Sequence, residues 1–109
     1  MKNLTADLLN GYVNGLECEA KKAVFEILSL EDIETVFEYG CSAGVGGFTY
    51  YHETEKFFNE YPDEVLECLQ SVIEECGAVP SGFELTRNNL TWLFVEETVR
   101  EMVYELELE

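Results

Sequence analysis

The run Pro62-Asp63-Glu64-Val65-Leu66-Glu67-Cys68-Leu69-Gln70-Ser71-Val72-Ile73-Glu74-Glu75-Cys76-Gly77 decides the fold class. Val65, Leu66, Leu69, Val72 and Ile73 recur three and four apart, the spacing of one face of an α-helix, and the residues between them are polar or acidic. Pro62 fits a first helical turn, because its φ is already helical and its missing N–H would be unpaired there anyway. Asp63 and Glu64 lie where the positive end of the helix dipole favours negative charge. Gly77 suits the left-handed position that closes many helices. The spacing predicts an amphipathic helix that Gly77 ends.

The same period extends in both directions. Phe48 to Tyr61 has a helical pattern, with Tyr51, Phe57 (or Phe58) and Tyr61 among its apolar positions. Ala78 to Leu85, with Pro80 and Gly82, reads as a loop. Thr86 or Asn88 is placed to cap a last helix whose core face is Leu90, Leu93, Phe94, Thr98, Met102 and Leu106. On the N-terminal side, Ser29-Leu30-Glu31-Asp32 is a helix start with Ser29 as cap. That helix buries Ile33, Val36 and Phe37 and ends at Gly40. A first helix begins after Thr5 with Leu8, Leu9, Tyr12, Val13 and Leu16 on one side. Gly11 and Gly15 weaken it by about 1 kcal/mol each against alanine. It either breaks there or runs on into Glu17 to Leu28, where Ala20, Val24, Ile27 and Leu28 form another stripe. Sustained alternation is scarce. The expected architecture is all-α: one compact bundle of about five helices over residues 1–109, with a glycine-rich connection at 40–47.

Composition narrows the function. The chain has 109 residues, 23 acidic and 6 basic, a formal charge of −17, 47% apolar and 13% aromatic residues. So many apolar and aromatic residues separate it from a disordered acidic tail. Direct nucleic-acid binding is excluded, because nothing here neutralises phosphates. Apolar runs are broken by charge well before the ~18 residues of a membrane span. The first residues lack the apolar core of a signal peptide, so a cytoplasmic location is expected. Cysteines 18, 41, 68 and 76 have no C-x-x-C spacing. Three of them fall inside helical patterns, so reduced thiols are expected, and a four-ligand zinc site is not.

Each chemical motif in the chain has a simpler reading beside it. Gly40-Cys41-Ser42-Ala43-Gly44 matches G-x-S-x-G, but a nucleophile elbow needs a preceding strand and a downstream histidine. Here a helix precedes, and the only histidine is His52, ten residues on. A Cys41/His52 pair would make a small thiol enzyme if the side chains met; a packed cysteine and an exposed histidine is the simpler account. The glycines lack the lysine and hydroxyl of a phosphate-binding Walker loop, since Phe48 and Thr49 follow Gly47. No glutamate lies three residues before His52, so the helical di-metal motif is absent. Neither catalytic residues nor a cofactor is expected.

Charge is the strongest remaining signal. At the ~1.7 Å per charge of duplex DNA, this net charge corresponds to about 29 Å of duplex, close to the diameter of such a domain. Glu97, Glu101 and Glu105 follow one another at four-residue spacing, where like charges repel along a helix, and Glu96 is adjacent. These four are the candidate partner-binding residues, with Glu53, Glu55 and Glu60 as a second patch. The alternative interaction mode is a homodimer through an aromatic surface around Tyr50, Tyr51 and Phe58.

Gly-Cys-Ser-Ala-Gly at 40–44, Tyr50-Tyr51-His52-Glu53-Thr54, Phe57, Asp63-Glu64, Asn88-Asn89-Leu90-Thr91-Trp92 and Phe94-Val95-Glu96-Glu97-Thr98 carry a family resemblance in their order. Over residues 36–109 the chain resembles a domain of unknown function found in small proteins of phages and of bacteria carrying mobile elements. The resemblance supplies no catalytic residues; it implies an accessory gene of a phage or mobile element. In size and charge the chain is also similar to anti-CRISPR and antirestriction proteins, a likeness of class without a motif. Charge and context together lead to the expectation of a non-enzymatic inhibitor. Its partner would be a basic nucleic-acid-handling protein, with a CRISPR effector nuclease as the expected target.

Overall fold

A computed structural model describes residues 4–39, 48, 50–78, 82 and 84–107, without the side chain of Tyr51. Among the described residues there are six helices and no strand: α1 (Ala6–Asn14), α2 (Glu19–Ile27), α3 (Leu30–Tyr39), α4 (Tyr51–Glu60), α5 (Pro62–Cys76) and α6 (Arg87–Glu105). The class is all-α as expected. The sixth helix arises because the N-terminal pattern breaks at Gly15, which caps α1 in place of carrying it into α2. The glycine-rich connection at 40–47, including Gly40 and Cys41, lies outside the described residues.

Local chemistry sets the helix ends. Thr5 Oγ1 accepts from the Leu8 N–H at the start of α1. Ser29 and Asp32 cap α3 reciprocally: the Asp32 N–H donates to Ser29 Oγ and the Ser29 N–H donates to Asp32 Oδ2, each at 3.1 Å. Pro62 opens α5, and Gly77 closes it at φ 81°, a left-handed conformation that a Cβ would strain. Thr86 caps α6, accepting from the Asn89 N–H at 3.1 Å, so the cap is Thr86 and not Asn88.

Helix α6 is the axis of the molecule, with α2, α3, α4 and α5 packed against it. Being covered from several sides, it buries Asn88, Leu90, Thr91, Phe94, Val95, Thr98, Val99, Met102 and Val103. Leu93 and Leu106, expected in its core face, are only half-buried, whereas Val95 and Val99 on a second face are fully enclosed. A single stripe cannot describe a helix enclosed on several sides. Three further expected core residues stand at the surface: Ile27 is 41% exposed, and Phe37 and Leu66 are each 46% exposed. α3 buries only Ile33 and Val36, and α5 buries only Val65, with Leu69, Val72 and Ile73 half-covered.

Phe57 of α4 is the aromatic hub. Its ring centroid lies 5.5 Å from Phe48, 5.1 Å from Tyr61 and 5.8 Å from Phe94, in edge-on and tilted arrangements that suit aromatic quadrupoles. Trp92 Nε1 donates to the Phe48 carbonyl at 3.3 Å and ties residue 48 to α6. By contrast α1 has no buried residue and docks through an edge-on Tyr12–Phe25 contact at 5.8 Å. The Cα radius of gyration is 13.4 Å.

Candidate functional site: an acidic groove between three helices

The 3.6-residue period that builds the core also aligns a second face of α5 with one of α6. On α5, Glu64, Glu67, Cys68, Ser71, Val72 and Glu75 fall three or four apart; on α6, Phe94, Glu97, Thr98, Glu101 and Tyr104 do the same. These faces, with Cys18 just before α2, Lys21 of α2 and Arg100 of α6, enclose an open groove of about 880 Å³. Its lining carries five glutamates against one lysine and one arginine.

Two of those glutamates hold cations of the chain itself. Lys21 Nζ donates to both carboxylate oxygens of Glu101, at 2.9 and 3.1 Å, joining α2 to α6 across the groove. Arg100 pairs with Glu97 one helical turn away. The Cys68 thiol is pushed up to about 11 by burial first and then by the Glu97 charge, with Lys21 acting in the opposite sense. Cys68 is therefore a neutral packing group at physiological pH.

Each expected partner-binding residue has a place. Glu97 and Glu101 meet in this groove. Glu96 lies about 100° round α6, in a separate recess of about 230 Å³ with Val36, Phe37, Glu38, Val99 and Arg100. Glu105 is exposed and turns toward α1, where burial and the charges of Glu105 and Glu101 raise the pKa of the Tyr12 phenol and hold it protonated. The proposed second patch divides. Glu53 accepts from the Tyr50 N–H at 3.2 Å and so helps cap α4. Glu55, exposed like Glu60, projects about 200° round the helix from Glu53. Glu64, Glu67 and Glu75 of the groove are not among the partner-binding residues expected from sequence: their spacing aligns them on α5, but only the packing of α5 on α6 sets them opposite Glu97 and Glu101.

The alternative sites fare differently. His52 is exposed and stacks on Tyr50, with ring centroids 5.8 Å apart and 8° between planes. Cys41, its suggested partner, lies outside the described residues. In the aromatic surface, Tyr50 is 62% exposed, while the Arg87 guanidinium covers the half-buried Phe58 at 5.6 Å from the ring centroid. Arg87 is held there by donating to Asn59 Oδ1 at 2.8 Å. Among the described residues no group of three or more His, Cys, Asp or Glu could hold a metal ion, and no helix is long and apolar enough to cross a membrane. Cys18, Cys68 and Cys76 are free thiols.

Fold and groove define a small all-α protein with a carboxylate-lined face. The chain belongs to a family described as a domain of unknown function (DUF7222), whose model matches residues 5–108. The matched residues include the N-terminal helices, which the sequence resemblance over 36–109 did not cover. No curated protein and no solved structure matches the chain.

Proposed function

We propose that this protein is a non-enzymatic binding module that occupies the basic surface of a nucleic-acid-handling protein, acting as an inhibitor of a host defence nuclease. The observation that carries the reading is the groove, where α5 and α6 set carboxylates along two facing walls in a molecule of net charge −17. Such a face steers a cationic partner by long-range attraction and then meets lysine and arginine in charge-assisted hydrogen bonds. The molecule measures 35 × 30 × 27 Å, comparable to the length of duplex carrying the same charge. The resemblance to small phage and mobile-element proteins supplies the context, and the proposed target is a CRISPR effector nuclease, whose guide channel and flanking-motif site are rich in Lys and Arg.

A cleavage assay tests this. The protein is titrated into a guide-loaded CRISPR effector nuclease before target DNA is added. The expected result is loss of cleavage, with the protein and the nuclease co-eluting at low ionic strength and separating as salt rises. Full cleavage with excess protein, and no co-elution at low salt, removes the reading.

A further inference from the structure

Resting on that reading of the acidic face, we infer that the groove between α2, α5 and α6 is a docking site for one basic amphipathic helix of the partner. The dimensions suit it. On the α5 wall Glu75 lies eleven residues beyond Glu64, about 16 Å or three helical turns. The floor is partly apolar: half-buried Cys68 and Val72 lie along it, with the buried Phe94 ring beneath. Glutamates stand on both sides, Glu67 and Glu75 on α5 and Glu97 and Glu101 on α6. An apolar floor between two acidic walls is the complement of a helix whose apolar stripe is flanked by lysine and arginine. An extended polycation would satisfy the walls and leave the floor wet. A flat basic surface would not reach the floor at all.

The groove also displays how it holds a cation. Lys21 sits on Glu101 with both carboxylate oxygens engaged, at 3.1 and 2.9 Å, and Arg100 sits on Glu97. These side chains occupy positions that incoming lysine or arginine would take. Lys21 is therefore a competitor of the docked helix, and its removal strengthens docking. A purely structural Lys21–Glu101 pair has no such effect.

The test uses the full chain and two fluorescent synthetic peptides of identical Leu and Lys composition, about four helical turns long. One has leucines at helical spacing with lysines on both flanks; the other is scrambled. The patterned peptide is expected to bind about tenfold more tightly than the scrambled one and to gain helical circular dichroism on binding. Lys21→Ala is expected to tighten it about threefold, and Glu67→Gln/Glu75→Gln to weaken it about tenfold, at roughly threefold per exposed ion pair. Equal binding of the two peptides, or binding without helix formation, overturns the helix inference while leaving the charge reading in place. Failure of both to bind at low salt overturns the two together. Tightening that fails to appear in Lys21→Ala, whose fold is verified by circular dichroism, also overturns the inference.

Discussion

The Thr54 hydroxyl donates to the side-chain oxygen of Asn88 at 2.5 Å, and both residues are buried between α4 and the start of α6. The Thr91 hydroxyl, one turn further along α6, donates to the Thr54 carbonyl at 3.1 Å. Hydrophobic contact alone permits a helix to slide or rotate, whereas paired polar groups inside a core fix one register. This seam fixes α4 on α6, and α6 in turn carries Glu97 and Glu101 to the groove.

Asn88→Ala is expected to destabilise the fold by about 1–3 kcal/mol, the cost of removing one member of a buried hydrogen-bonded pair. Replacing both partners, Thr54→Val with Asn88→Leu, is expected to cost less than the sum of the single changes. Urea denaturation of the four proteins in the cycle reads the coupling, expected at about 0.5–3 kcal/mol. Strict additivity would mean that the seam does not act as a unit.

Thr86→Ala removes the side-chain oxygen that receives the Asn89 N–H at the head of α6. A loss of about 1 kcal/mol in unfolding free energy is expected. Thr86→Ser keeps the oxygen and should retain most of the stability, which thermal denaturation of the two variants distinguishes.

Cys68 and Cys76 share α5 but not their surroundings. Cys76 is exposed, and Cys68 is half-buried with its thiol pushed up to about 11 from the ordinary 9.0. Mass mapping after brief iodoacetamide treatment at neutral pH should find Cys76 modified well before Cys68. Because the folded state holds the Cys68 proton more tightly than the unfolded one, this group's contribution to stability is complete below pH 9 and declines as pH rises through about 11. Cys68→Ala should flatten that part of the stability–pH curve.

Self-repulsion of −17 charges opposes folding. Raising ionic strength from about 0.01 M to about 0.15 M shortens the screening length from about 30 Å to about 8 Å, well below the 27 Å least extent of the molecule. The thermal midpoint is expected to rise over that range. A fall would mean that the surface ion pairs Lys21–Glu101 and Arg100–Glu97 outweigh the repulsion.

The helix ends were readable because they depend on few neighbours: Ser29 with Asp32, Pro62, Gly77 and Thr86 act within one turn of the chain. The break at Gly15 was one of two open outcomes, since the glycine weakens a helix without dictating where it stops. Ile27, Phe37, Leu66, Val95 and Val99 were misjudged for a tertiary reason. The periodicity of α6 does not reveal that four helices surround it, and that of α2, α3 and α5 does not reveal how much of each is left uncovered. The site was legible to the same extent. The line from Glu97 to Glu101 follows from helix geometry, but the facing wall of Glu64, Glu67 and Glu75 needed the packing of α5 on α6. Glu53 and Glu55 had only proximity in sequence to join them, and the helix turns them apart.

The central claim is that placement of carboxylates, beyond total charge, directs binding. Its most direct test is the affinity of a guide-loaded CRISPR effector nuclease for two variants that lose the same charge. Glu67→Gln/Glu75→Gln changes the groove, whereas Glu26→Gln/Glu34→Gln changes exposed positions on α2 and α3. The account predicts that the groove variant binds about tenfold more weakly than the wild type and that the second variant stays near it. Equal weakening of the two, or no binding by the wild type at low salt, would contradict it.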